Sequence, residues 1–253
     1  VERLTVHEEA LDAESDALVE MMAPEELHGL HMEYEANLER ALRGIVTADQ
    51  VAPAIRPGNE HNPRTAVVAI ENTHNAHGGK IFPVEEARAI AKVCRDKGAA
   101  VHIDGARIFN AQAATGVAAA EWAACADTIT FCFSKGLGAP IGSMVCSTQA
   151  VIDEARVLRK RLGGGMRQVG TIAAAARVAL ETGVDRHAED HAKARRLAEG
   201  LGELHEDAVD LATVETNMVY LNLAPFSVQA PDVSARLAGE GVITLGMPGS
   251  SMR

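Results

Sequence analysis

From residue 65 onward, short apolar runs alternate with segments of helical period, and few folds accommodate that pattern. Residues 65–70 read as a strand. Residues 84–97 carry Ala87, Ile90, Ala91 and Cys94 on one helix face, and Gly98 follows as a stop signal. Residues 99–104 form a near-continuous apolar run, as expected of a strand covered on both sheet faces. Helical segments through Ala126, strands at 128–133 and 142–146, and helices at 149–162, 168–182 and 186–204 continue the alternation. A strand at 217–223, a helix near 231–239 and a strand at 242–245 close it. Upstream, Thr47 caps a short helix running to Ile55. The pattern predicts an α/β fold, a mostly parallel sheet flanked by helices. Ligands in such sheets gather at the carboxyl ends of the strands.

Two residues stand at or just beyond such ends. Asp104 closes the run V-H-I-D-G-A-R at 101–107, and Lys135 follows the run T-I-T-F-C-F-S at 128–134. Taken singly, each has a plain reading: a helix-capping carboxylate and a solvated loop charge. Taken together, they supply what pyridoxal 5'-phosphate (PLP) requires. A Schiff base needs a primary amine that can lose its proton, which Lys has and Arg lacks. A carboxylate beside the pyridine nitrogen keeps it protonated, so the ring accepts electrons.

Four motifs in order, E-N-T-H-N at 71–75, H-I-D-G-A-R-I-F-N at 102–110, S-K-G-L-G at 134–138 and G-G-G-M-R-Q at 163–168, resemble the low-specificity L-threonine aldolases. These are fold-type I PLP-dependent enzymes of the β-eliminating lyase and threonine aldolase group. T-N-M at 216–218 and the terminal Met252-Arg253 fit the same family, so the resemblance runs from about residue 44 to the end. It implies a PLP-dependent transferase-like large domain at 44–205 and the start of a small C-terminal α/β domain at 206–253. It implies retro-aldol cleavage of L-threonine or L-allo-threonine to glycine and acetaldehyde, with Lys135 carrying PLP. A β-eliminating lyase or aminotransferase of the same fold would use the same Lys and Asp, and an inactive fragment of an aldolase is a further alternative.

The resemblance also distributes roles. His74 would lie near the substrate hydroxyl, where an imidazole of ordinary pKa near ~6.5 suits proton transfer; on composition alone it is equally a turn-stabilising residue. Arg107 would face the cofactor's phenolic oxygen and the substrate carboxylate, which its fork suits. Ser134 would bond the cofactor phosphate, or simply stabilise its turn. Arg253 matches the carboxylate-binding Arg, and Lys160 and Arg167 match residues at the cofactor or subunit edge of the site. His77 and His102 are weaker candidates, and His102 is read as structural. No metal-ligand cluster is recognisable.

Composition sets the remaining bounds. Hydrophobic residues make up 47% but aromatics only 3%, so Val, Ile, Leu and Ala must fill the core. Residues 1–43 hold twelve Asp/Glu against three Arg, a net charge of −9, and the other 210 residues carry only −2. The near-balanced globular part argues against a nucleic-acid partner. No apolar run approaches the ~20 residues of a membrane span. Cys94, Cys125, Cys132 and Cys146 form no CxxC pair and read as reduced, mostly buried thiols of a cytoplasmic protein. The acidic N-terminal stretch shows neither the family's phosphate-holding glycine loop nor its ring-stacking His, and reads as foreign to the fold of an incomplete chain. The family's active sites are shared between subunits, which implies a homodimer or homotetramer acting on a small amino acid.

Overall fold

The computed structural model describes residues 44–61, 63–246 and 251–253. The expectations for residues 1–43 lie outside these. The first helix, α1 (Ala48–Ala54), opens with the Thr47 N–H donating to Gln50 Oε1 at 2.9 Å. Four strands then form one sheet: β1 (Val67–Glu71), β2 (Ala100–Asp104), β3 (Thr128–Cys132) and β4 (Ser143–Ser147). Their order is β1-β2-β3-β4; the first three run parallel, and β4 is antiparallel to β3. The crossover from β1 to β2 is α2 (Val84–Lys97), and the one from β2 to β3 contains α3 (Ile108–Thr115) and α4 (Ala119–Ala123). Beyond β4 come α5 (Gln149–Arg161), α6 (Gly170–Gly183) and α7 (His187–Gly202).

The helix α2 shows why sequence and element agree. Its buried side chains are Ala87, Ile90, Ala91 and Cys94, and Gly98 ends it in the left-handed conformation at φ 71°. A residue with a Cβ would be strained there. This apolar face packs on Val68 and Ile70 of β1, Val101 and Ile103 of β2, and Ile129 of β3 in one core cluster. Trp122 of α4 joins it and donates Nε1–H to the Phe82 carbonyl at 2.9 Å.

The alternate residues of the same strands tell a different story from the one their apolar run suggests. Ala69 and Glu71, His102 and Asp104, and Thr128 and Thr130 are only half-buried. Over β1, β2 and β3 the sheet therefore has one packed face and one partly open face, while β4 is largely exposed. The open face carries the polar side chains, because strand side chains alternate with period two.

After α7 the predicted strands shrink. Of 217–223 only β5 (Leu221–Asn222) pairs, antiparallel to β6 (Ser251–Met252). The run 242–245 is no strand. Val242, Ile243 and Leu245 are exposed, and the backbone bonds there are Leu245 N–H to the Arg253 carbonyl at 2.7 Å and its reciprocal at 2.8 Å. Its apolar residues have no packed face to alternate against, so the sequence pattern overstated the strand. Between β5 and β6 lies α8 (Ala230–Gly239), which buries Ala230 against Leu221, Leu223 and Met252. The cysteines also depart from expectation: Cys94 and Cys125 are buried, Cys132 is half-buried and Cys146 is exposed.

Candidate active site

Because β1, β2 and β3 are parallel, their carboxyl ends lie together, and they end in Glu71, Asp104 and Cys132. Register sets Glu71 opposite Asp104 and Asp104 opposite Thr130, so Glu71, Asp104 and Cys132 share the open face. Asp104 Oδ1 accepts the Ala106 N–H at 3.0 Å, and among the described residues its second carboxylate oxygen has no hydrogen-bond donor. Arg107 is the N-cap of α3, one turn beyond. Lys135 sits two residues past the buried Phe133 in a closed loop. Phe133 N–H donates to the Gly142 carbonyl at 2.9 Å, Gly138 N–H to the Lys135 carbonyl at 2.9 Å, and Ala139 N–H to the Phe133 carbonyl at 3.0 Å. Gly138 and Gly142 have φ of 82° and 116°, which their loop positions require. Both Ser134 and Lys135 are exposed.

Electrostatics tie these residues into one cluster. Burial pushes the Glu71 carboxyl above its ordinary range. The Asn75 N–H, donated to Glu71 Oε1 at 3.0 Å, opposes that rise; the Asp104 charge adds to it, and Arg107 and Lys135 oppose it. Burial lowers the Arg107 pKa, as does the charge of Arg253, while Glu71, Cys132 and Asp104 pull it back up. Two guanidinium groups near enough to repel each other form a ready site for a carboxylate, which would relieve that repulsion.

The fourth wall is the segment 71–81. His74 N–H donates to the Lys80 carbonyl at 2.8 Å, and Gly79 N–H to the His74 carbonyl at 2.9 Å, closing a tight turn. His74 is half-buried, and burial lowers its pKa. Its Nδ1 lies 3.2 Å from His77 Nδ1 and 3.8 Å from Glu71 Oε2. A latch from the C-terminal region holds this turn. Thr216 Oγ1 donates to the Gly79 carbonyl at 2.9 Å, Ile81 N–H to Glu215 Oε2 at 2.8 Å, and Tyr220 OH to the Asn75 carbonyl at 3.1 Å. Arg253 Nη1 donates to Asn75 Oδ1 at 2.7 Å, which brings the last residue of the chain to the site.

The structure thus gathers Lys135, Asp104, Arg107, Arg253 and His74 around one strand-end face. Ser134 adjoins Lys135. Lys160 and Arg167 are exposed, and Lys160 lies along the glycine loop, where a Cβ on Gly165 would meet its Cδ at 2.7 Å. His102 Nδ1 pairs with Thr128 Oγ1 at 2.7 Å across β2 and β3, a sheet-face contact in keeping with a structural role. Glu71 and Asn75 received no role from sequence. The signal was present, since Glu71 ends an apolar strand just as Asp104 does. Among the described residues, no group of three or more His, Cys, Asp or Glu is placed to hold a metal ion, and no helix is long and apolar enough to cross a membrane.

The model of the beta-eliminating lyase family matches residues 9–224. The chain belongs to that family. It is 38% identical over 205 residues to low-specificity L-threonine aldolase 1 of Arabidopsis thaliana, covering 80% of this chain and 57% of that one. It is 40% identical over 186 residues to the low specificity L-threonine aldolase of Escherichia coli K12, covering 74% of this chain and 54% of that one. The chain therefore spans about half the length of these curated relatives. Among solved structures, the fold is similar to a threonine aldolase of Leishmania major, with TM-score 0.62 and 15% identity over 82% of this chain and 60% of that one. It is also similar to an aspartate aminotransferase of Thermus thermophilus with maleate, with TM-score 0.57 and 17% identity over 80% of this chain and 52% of that one. The sheet with its open strand-end face thus shares its fold with that aldolase and that aminotransferase. The residues present fit a PLP cofactor: an exposed primary amine, a carboxylate and a guanidinium, those of Lys135, Asp104 and Arg107, all act on Glu71 at the strand-end face.

Proposed function

We propose that this protein cleaves a β-hydroxy-α-amino acid, L-threonine or L-allo-threonine, into glycine and acetaldehyde by PLP-dependent retro-aldol chemistry. PLP, when bound, supplies an electron sink for the pair released from the breaking Cα–Cβ bond. Lys135 would hold the cofactor through its amine and give way to the substrate amine. The Asp104 carboxylate would keep the pyridine nitrogen protonated. Arg107 and Arg253 would clamp the substrate carboxylate, and Ser134 would bond the cofactor phosphate. Lys160 and Arg167 would border the site on the loop before α6. His74, favoured neutral by burial, would accept the β-hydroxyl proton directly or through a water. The observation that carries this reading is the convergence of Lys135, Asp104 and the two Arg on one face, with a neutral-leaning His in its wall.

The finer organisation follows the same reading. Residues 44–205 would form the cofactor-binding unit and 206–253 the beginning of a second, with residues 1–43 preceding both. Exposed Met144 and Val145 on β4 and exposed Val157, Leu158 and Leu162 at the end of α5 support association into a homodimer or homotetramer. The four free thiols support a reducing, cytoplasmic setting.

The deciding experiment incubates the purified chain with PLP, reduces it with borohydride and maps the modified peptide by mass. Cofactor fixed on Lys135, absent in Lys135→Ala, is the expected result. Product analysis from threonine then distinguishes glycine plus aldehyde from ammonia plus a keto acid. Fixation elsewhere, or the second product pair, would overturn the proposal.

A further inference from the structure

Behind Lys135 lies a buried polar cluster that the proposed chemistry does not use: Asn110 on α3 with His187 and His191 on α7. Asn110 and His187 are each only 1% exposed. His187 Nδ1 lies 3.0 Å from the Gly183 carbonyl oxygen and 3.0 Å from that of Val184. Both oxygens only accept, so Nδ1 carries a proton, and Nε2 is the ring nitrogen left facing the Lys135 turn. His191 Nε2 lies 2.9 Å from Asn110 Oδ1, also an acceptor, so His191 carries its proton on Nε2. The Asn110 amide nitrogen is buried with no hydrogen-bond partner among the described residues.

These groups face the residue that follows Lys135. A Cβ on Gly136 would stand 2.6 Å from His187 Nε2, 3.1 Å from His187 Cδ2 and 3.2 Å from Asn110 Nδ2. The backbone at Gly136 therefore rests directly on the two polar groups, with no room for a side chain between. Asn110 also reaches the other half of the site, since its N–H donates to the Arg107 carbonyl at 2.9 Å. Asn110 is thus tied to the Arg107 turn by its backbone N–H, and its side-chain amide nitrogen lies beside the Lys135 turn at Gly136. Simple packing of α3 on α7 would be served by apolar residues, and an unpaired amide in the interior is costly.

We infer that Asn110, His187 and His191 form a positioning network that seats the Lys135 turn against the Asp104–Arg107 turn and so sets where the Lys135 amine stands. The inference rests on the reading of Lys135 as the reactive amine.

Two substitutions separate this role from a merely structural one. His187→Asn keeps a donor near the Nδ1 position, toward Gly183 and Val184, and removes the group facing Gly136. His187→Gln keeps a polar group near the Nε2 position and gives up the Nδ1 donor. The readout needs no cofactor: competitive acetylation of the full chain, with Lys135 labelling measured by mass against the exposed Lys92. His187→Asn should change the Lys135 to Lys92 ratio by about threefold or more, the equivalent of half a pKa unit, while His187→Gln stays close to wild type. An unchanged ratio in His187→Asn, or the larger change in His187→Gln, overturns the network. Should His187→Asn fail to fold, Gly136→Ala drives a methyl against His187 Nε2, and an unchanged ratio in that variant overturns the network equally. Borohydride fixation on the wild-type chain tests the proposed function separately. Fixation away from Lys135 with the expected ratios would leave the network standing and remove that function.

Discussion

Gly79→Ala measures the latch that holds the His74 turn. Gly79 has φ of 75°, and a Cβ there would lie 2.2 Å from Thr216 Oγ1 and 3.3 Å from Met218 Cε. Thr216 is 1% exposed, and its hydroxyl donates to the carbonyl of Gly79 itself. The substitution therefore does two things: it strains the backbone and displaces a buried hydroxyl from its acceptor. Gly98 supplies the control, since it has nearly the same φ of 71° with nothing within 4 Å of the added carbon. Gly98→Ala should cost only left-handed strain, about 1–2 kcal/mol. Gly79→Ala adds about 1–3 kcal/mol for the deprived hydroxyl and a comparable amount for overpacking against the buried side chains of Thr216 and Met218. The gap between the two variants should thus be at least about 2 kcal/mol. Urea unfolding followed by fluorescence of Trp122, the single tryptophan, reads both. Equal stabilities would mean that Thr216 does not pack on Gly79, and the account of how the C-terminal region braces the site would fall with it.

Two further outcomes follow from the charges. The folded-state pKa of Glu71 is raised above its ordinary value, so its contribution to stability is fully present below the unfolded pKa of 4.5 and is lost as pH rises through the folded value. Relative to wild type, Glu71→Gln should therefore gain stability as pH rises above 4.5, in paired urea titrations, and a pH-independent difference would show that Glu71 is not desolvated in the fold. Arg253→Lys keeps the charge but loses the fork, so KM for the amino acid should rise about tenfold with kcat little changed; an unaltered KM would remove Arg253 from substrate binding.

Much of the architecture was legible because it rests on local periodicity. The helix α2, the strand ending in Asp104 and the loop carrying Lys135 each follow from a few consecutive residues whose spacing matches one element and no other. Reading failed where that support was missing. The run 242–245 has strand composition, yet its apolar side chains, Val242, Ile243 and Leu245, are exposed. The apolar run 99–104 suggested a sheet covered on both sides, whereas His102 and Asp104 lie on a half-open face. Glu71 shows its strand-end position in the sequence, but its register with Asp104, a pairing across 33 residues, is recorded by no local pattern.

Sequence by itself determined the α/β class and the family, and put Asp104 and Lys135 at or just past strand ends, because residue type and strand-end position are properties of short segments. Tertiary structure alone decided which charges meet. It set Glu71 beside Asp104, brought Arg253 from the end of the chain to Asn75, and placed Asn110 and His187 beneath Gly136. Burial and mutual charge, which shift the pKa values of Glu71, His74 and Arg107, arise only when distant segments pack together and exclude water.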